Sequence, residues 1–330
     1  MGSRIVPSQS AVACGVFERA LSARGGPLMS TERDKTHQPM SSDLAQDDTD
    51  GAHVPHTSMH RVEVDRINVF YREAGPASAP VVLLLHGFPT SSFQYRELMP
   101  RLADRYRVIA PDLPGFGFTE VPEQRQYKYT FNALAQTLRA FTDALGLRRY
   151  ALYVFDYGAP TGFRLAMARP ERVAAIVSQN GNAYEEGLGE AWAPIRRSWS
   201  DQSPENRERI RQGAHSGGHA PRICVGHPQP GRDRPEGYTL DAALLARPGN
   251  VDIQLDLFLD YVNNVKLYPA FHAYFRQWKP PLLAIWGKHD PISCLQVRRP
   301  SGATTRTRWC NCSIRATSRC KRMLRRLRSL

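Results

Sequence analysis

Apolar and polar residues alternate over residues 61–65 and again over 68–73, on either side of a short turn, which predicts a β-hairpin. The pattern then changes. Residues 81–86 form a continuous apolar run of the kind found in a strand buried on both faces, and 107–110, 150–155, 173–178 and 281–286 read as further strands. Between them the apolar spacing is helical. Residues 92–104 are amphipathic, 131–145 place Leu134, Leu138, Phe141 and Leu145 on one face before stopping at Gly146, and a helix is expected over about 159–168. Strands alternating with helices predict an α/β fold, a mostly parallel sheet wound by right-handed crossovers and flanked by helices.

From residue 184 to 278 the alternation stops, and the segments 190–199, 204–211, 240–245, 251–265 and 268–278 all look helical. A helical insertion between two sheet strands is a lid, or cap. The expected organisation is an extension at 1–58, an α/β core at 59–183 and 279–291, a helical cap at 184–278 and an irregular basic tail at 292–330. The extension is mostly Ser, Asp, His, Gln and Thr, a composition that predicts disorder. Met29, Met40 and Met59 are alternative starts.

Charge and cysteine usage separate the tail from the body. Of the formal charge of +13, residues 291–330 supply ten arginines and one lysine with no acidic residue, so the rest of the chain carries only +2. Four of the six cysteines (Cys294, Cys310, Cys312 and Cys320) also lie there, and residues 60–211 contain none. That fits a reducing cytoplasm without a disulfide framework. Cys310-x-Cys312 with Cys320 lacks the paired spacing of zinc sites, and neither a metal nor a cofactor is expected. The longest apolar run, 81–85, is too short to span a membrane. Residues 5–17 make a poor signal-peptide core, and Val6 stands where a myristoylation signal prefers Ser or Thr.

Three loops fall at the carboxyl ends of expected strands, where open α/β sheets carry their sites. They are His86-Gly87-Phe88-Pro89, Val154-Phe155-Asp156-Tyr157-Gly158 and Gly287-Lys288-His289-Asp290. Asp156 sits in a strand–turn–helix with the form of a nucleophile elbow, where serine is usual, and Gly158 is the small residue that so sharp a turn demands. The plain alternative is that Asp156 only caps the helix beginning near Tyr157. His86-Gly-Phe-Pro is equally a tight turn after a buried strand, and Asp290 equally a structural Asp before a proline turn. In joint order and spacing, the three loops resemble the α/β-hydrolase fold family, and within it the haloalkane dehalogenase and epoxide hydrolase branch, over residues 60–290.

The resemblance implies that Asp156 attacks an electrophilic carbon to form an ester, which histidine-activated water then hydrolyses. It implies that the backbone N–H groups of Phe88 and Tyr157 form the oxyanion hole, and that Asp290 orients the histidine. Dehalogenases of this kind hold the halide with a Trp beside the nucleophile and an Asn or Trp elsewhere; here that neighbour is Tyr157. Epoxide hydrolases use cap tyrosines to protonate the opening oxygen, and Tyr184, Tyr238, Tyr261, Tyr268 and Tyr274 are available, although each could equally pack in a helical core. The pocket candidates are Tyr184, Trp192, Tyr261 and Tyr268, the substrate is a small apolar epoxide, halide or ester, and epoxide opening is preferred.

The pattern breaks after Asp290. The family's histidine follows the acid after one more strand, with a closing helix next, yet no residue after His289 is histidine. The tail offers no strand of buried character, so the final strand and helix are expected to be missing and the chain inactive as written. A reading-frame slip in a GC-rich gene would give this arginine-loaded texture, and 213–233 looks similar; a genuine basic arm and a flexible cap loop are the rivals. A reading from another class is a non-catalytic protein whose tail, with Met323, Leu324 and Leu327 on one short amphipathic turn, binds nucleic acid or an anionic membrane surface. No aromatic interleaving supports nucleic acid.

Overall fold

The computed structural model of the protein describes residues 56–216, 235–287 and 307–312, with the backbone alone for 213–216 and 307–312. Nearly all of the extension, most of 213–233, Asp290 and the tail apart from 307–312 lie outside the described residues.

Strands β1 (Ser58–Val64) and β2 (Ile67–Ala74) form the expected antiparallel hairpin, with Val64 opposite Ile67 and Asp65 and Arg66 turning at positive φ. β3 (Val81–Leu85), β4 (Arg107–Pro111), β5 (Tyr150–Phe155), β6 (Val173–Gln179) and β7 (Leu282–Gly287) match the apolar runs. The sheet order is β1-β2-β4-β3-β5-β6-β7-β8, antiparallel at β1–β2 and β2–β4 and parallel elsewhere. The chain steps one way from β3 to β4 and the other way to β5. The carboxyl end of β3 is therefore the switch point at which such sheets open a crevice.

The expected loss of the final strand is corrected. Thr307–Cys312 forms β8, parallel to β7 with Leu282 opposite Thr307 and Gly287 opposite Cys312. It was missed because an edge strand is held by backbone pairing on one side and needs no apolar run. The closing helix would fall outside the described residues.

The amphipathic stretch 92–104 is also corrected. A 3₁₀ turn, Ser92–Tyr95, is followed by a single α-helical turn, α1 (Met99–Leu102). Pro100 has no N–H to donate to a preceding turn, and it stands in the first turn of α1, where none is needed. Two further helices pack on the sheet as expected, α2 (Phe131–Ala144), capped by the Thr130 hydroxyl, and α3 (Gly158–Ala168).

The segment between β6 and β7 is helical: α4 (Ala193–Ser200), α5 (Pro204–Ser216), α6 (Pro235–Leu245), α7 (Asn250–Asp260) and α8 (Val262–Trp278). The last break falls at Tyr261, not after Val265, and α8 runs through Pro269. Two apolar clusters sandwich the sheet. A third, containing Leu113, Phe131, Tyr157, Trp192, Phe258 and Tyr261, joins the loops at the carboxyl ends of the strands to the helical insertion.

Candidate active site

The register of β3 and β5 builds the centre of the site. Leu85 pairs with Val154, so two residues further on Gly87 comes level with Asp156. The approach is so close that a Cβ on Gly87 would lie 2.3 Å from Asp156 Cβ. Asp156 has φ 48°, in the left-handed region, which costs an ordinary residue about 1–3 kcal/mol. Strain of this kind, at a sharp strand-to-helix turn, presents a side chain above the sheet.

Two backbone N–H groups converge on this carboxylate. Phe88 N–H donates to Asp156 Oδ1 at 2.8 Å, and Tyr157 N–H donates to the same oxygen at 2.6 Å. These are the two donors expected from the sequence. A helix cap is a different arrangement, with an extended backbone and a side chain accepting from the second or third helical N–H. Tyr157 stands at the cap of α3, and no side chain makes such a bond there.

His86 is not available as a base. It is fully buried, and its Nε2 accepts from Leu113 N–H at 3.0 Å, which leaves the proton on Nδ1, 3.2 Å from Gly87 O. Burial lowers its pKa against the opposing pull of Asp112. It serves to tie the β3 loop to the β4 loop. His272 Nε2 lies 2.8 Å from Ala183 O, and its ring lies 4.3 Å from that of Tyr184, tilted by 31°.

Aromatic rings surround Tyr157, the neighbour of Asp156. The Tyr157 ring meets Phe131 edge-on at 4.9 Å, with Phe88, Phe258 and Tyr261 at 5.9, 6.2 and 6.0 Å. Trp192 lies 4.4 Å from Tyr261, and its buried indole N–H has no hydrogen-bond partner among the described residues. The charge of Asp156 reaches two phenols, Tyr261 and Tyr95, and the Tyr95 hydroxyl is committed to Leu85 O at 2.7 Å. Burial raises the pKa of Tyr261 well above the usual value, and the charges of Tyr268, Asp156 and Tyr157 add to that. Tyr268, whose phenol acts on that of Tyr261, accepts a hydrogen bond from Asn182 Nδ2 at 3.2 Å, and burial pushes its pKa up to about 12.

Of the four pocket candidates, Trp192 and Tyr261 join the cluster around Tyr157 and Tyr268 adjoins it. Tyr184 instead lies against His272 beside the main core. Asp290 lies outside the described residues. Sequence reading missed Phe131, Phe258 and Asn182. The first two look like ordinary core positions, and the third is only a polar residue in a loop. Among the described residues, no group of three or more His, Cys, Asp or Glu is placed to hold a metal ion, and no helix is long and apolar enough to cross a membrane.

Residues 80–215 match a family model described as alpha/beta hydrolase fold. The chain is 48% identical over 238 residues to the uncharacterized hydrolase YNR064C of Saccharomyces cerevisiae, covering 71% of this chain and 81% of the yeast protein. It is 32% identical over 253 residues to a haloalkane dehalogenase of Mycobacterium marinum, covering 76% and 77%. Among solved structures, the haloalkane dehalogenase DbeA from Bradyrhizobium elkani aligns with a TM-score of 0.57 at 26% identity, over 70% of this chain and 81% of that one.

Proposed function

This chain belongs to the α/β-hydrolase fold family, in the branch of the haloalkane dehalogenases and epoxide hydrolases, and we propose that Asp156 is its nucleophile in an epoxide-opening reaction. The observation that carries the reading is the pair of N–H donors on Asp156 Oδ1, at an aspartate held with left-handed φ. A carboxylate fixed through one oxygen has the other oriented for attack, and orientation of this kind accounts for much of the rate of such a displacement.

The step balances as follows. A carboxylate oxygen of Asp156 bonds to an epoxide carbon, and the carbon–oxygen bond of the ring breaks. The departing oxygen takes the phenolic proton of Tyr261, giving a hydroxyalkyl ester and a phenolate. An alkoxide is more basic than a phenolate, so Tyr261 remains an effective acid even with its raised pKa. Hydrolysis of the ester then needs a water activated by a base that Asp290 would orient. No histidine follows His289 in this sequence, and His86 is committed to the loops. The reaction therefore stops at the alkyl-enzyme. Helices α4 to α8 act as a cap over the small apolar substrate, in a protein of the cytoplasm.

Haloalkane dehalogenation is the second reading. It is favoured by the names of the relatives and by the indole N–H of Trp192, which has no partner among the described residues and is a donor suited to a halide. Incubation with styrene oxide or 1-bromobutane, followed by intact-mass and peptide analysis, tests both. One adduct on Asp156 and no steady turnover are expected with the epoxide, and Asp156→Asn abolishes the adduct. Labelling spread over surface carboxylates rejects the nucleophile. Labelling by the bromide alone, with Trp192→Phe slowing it, favours the second reading.

A further inference from the structure

We propose that Arg164 is a positioning residue, which through Asn264 holds the Tyr261 phenol at the distance from Asp156 that proton delivery requires. The inference rests on the reading of Tyr261 as the acid, and it assigns a task to a buried cation that the reaction itself does not use.

Tyr261 has no helix of its own. It is the single residue between α7 and α8, so its direction depends on what holds the chain on either side. One residue before it, Asp260 Oδ2 accepts the Phe131 N–H at 2.7 Å, one of the unpaired donors at the start of α2. Three residues after it, Asn264 Oδ1 accepts from Arg164 Nη1 at 2.6 Å, and Asn264 is completely buried. Tyr261 is thus gripped from both sides by core helices. The Phe131 ring meets the Tyr261 ring edge-on at 5.4 Å and 88°.

The two grips differ in what they are attached to. Arg164 lies in α3, the helix that begins two residues after Asp156, and the same Nη1 donates to Pro160 O at 3.1 Å. The guanidinium is therefore fixed to the element that carries the nucleophile. Its bond to Asn264 sets the separation of acid and nucleophile within one rigid unit, across 100 residues of sequence.

Arg164 is only 8% exposed and lies 5.9 Å from the Phe131 and Phe271 rings. A cation in such a place is costly, and an apolar side chain would serve packing as well or better. Burial lowers its pKa to about 10, opposed by the nearby charges of Asp260, Tyr261 and Tyr268, so it stays charged at neutral pH.

The test separates positioning from packing by using two substrates on the full chain. Opening an epoxide needs the acid, whereas displacement of bromide does not. Single-turnover labelling of Asp156 by styrene oxide and by 1-bromobutane is followed by intact mass in the parent, Tyr261→Phe, Arg164→Met, Arg164→Lys and the Tyr261→Phe/Arg164→Met double variant. Tyr261→Phe is expected to slow the epoxide about a hundredfold. Arg164→Met should slow it by a similar factor, the double variant should be no slower than Tyr261→Phe alone, and Arg164→Lys should recover part of the loss. Bromide labelling should stay within about twofold in Arg164→Met and Arg164→Lys, as expected for a step without general acid. Equal slowing of both substrates by Arg164→Met, or none of the epoxide while Tyr261→Phe slows it, overturns the clamp alone. An unaffected Tyr261→Phe overturns the acid reading and the clamp with it. Should Arg164→Met not fold, Asn264→Ala removes the acceptor instead, and the same outcomes apply.

Discussion

Substitution of Gly87 by alanine should silence the site while leaving most of the fold intact. A methyl group there would lie 2.3 Å from Asp156 Cβ, 2.5 Å from Oδ1 and 2.8 Å from Cγ. Carbon atoms in contact settle at about 3.5–4.0 Å, so more than about 1 Å of movement must be found between the β3 loop and the elbow. Asp156 cannot give this by rotating its carboxylate, because its Cβ is the nearest atom. The elbow and the His86 loop must part, and the bonds of 2.8 and 2.6 Å that aim Oδ1 cannot both survive. A misplacement of about 1 Å costs roughly a hundredfold in rate. The overpacking itself should cost about 1–3 kcal/mol of stability. The assay is the rate of Asp156 labelling by styrene oxide, read by intact mass, beside a urea melt. Labelling within threefold of the parent, in a variant that melts normally, would show that the close approach of the two loops does not orient the carboxylate.

Gly158→Ala should behave in the opposite way and fail to fold, since its Cβ would lie 2.3 Å from Leu85 O and 2.8 Å from His86 O, backbone atoms of a buried strand that cannot yield; soluble protein with a parent-like melt would refute this. Asp241, in α6, has its pKa raised to about 7, chiefly by burial, with Arg96 opposing and Asp112 adding. A carboxyl whose folded pKa lies above its unfolded value contributes stability that is full below about pH 4 and lost as pH rises to about 7, at most roughly 4 kcal/mol. Asp241→Asn should therefore flatten the fall in the urea midpoint between pH 4 and pH 8, and parallel profiles for the two proteins would refute the assignment. Replacing residues 313–330 by a Gly-His loop and a closing helix should release the alkyl-enzyme and give steady turnover, and an adduct that persists would mean that the supplied histidine does not reach the ester.

The fold was legible where burial writes itself into the sequence. Strands covered on both faces need unbroken apolar runs, and 81–86, 150–155 and 173–178 each became a strand within one residue of the expected ends. The pattern failed where other forces decide. At 92–104 the apolar spacing was helical, but Pro100 and the Ser91 hydroxyl, which accepts from Phe93 N–H, divide the segment into separate turns. The expected boundary between residues 265 and 268 is absent, and the chain breaks instead at Tyr261, where the insertion is pinned to α2 and α3. β8 carries no apolar run and is defined by its pairing to β7 alone.

The site divides along the same line. Asp156, Phe88 and Tyr157 could be grouped from the sequence because neighbours in sequence and a strand register bring them together, so order and spacing are enough. Tyr261 was one of five cap tyrosines that the sequence could not rank, and the residues around it were not legible, because Arg164 meets Asn264 across 100 residues and Asn182 meets Tyr268 across 86. Within its own helix Arg164 stands among Gly162, Phe163, Leu165 and Ala166 as one polar residue that any solvated face could hold. Its burial is fixed by the return of α8, a fact carried by neither segment alone. The sequence therefore speaks for the proposed nucleophile, which is built from one turn. In the proposed reaction the choice between an epoxide and a halide would rest on Tyr261 and Trp192, which lie in or beside the helical insertion joined to α2 and α3 through Asp260 and Asn264. A change in the clamp, at Arg164 or Asn264, should then shift the ratio of epoxide to halide labelling without altering any residue that touches Asp156.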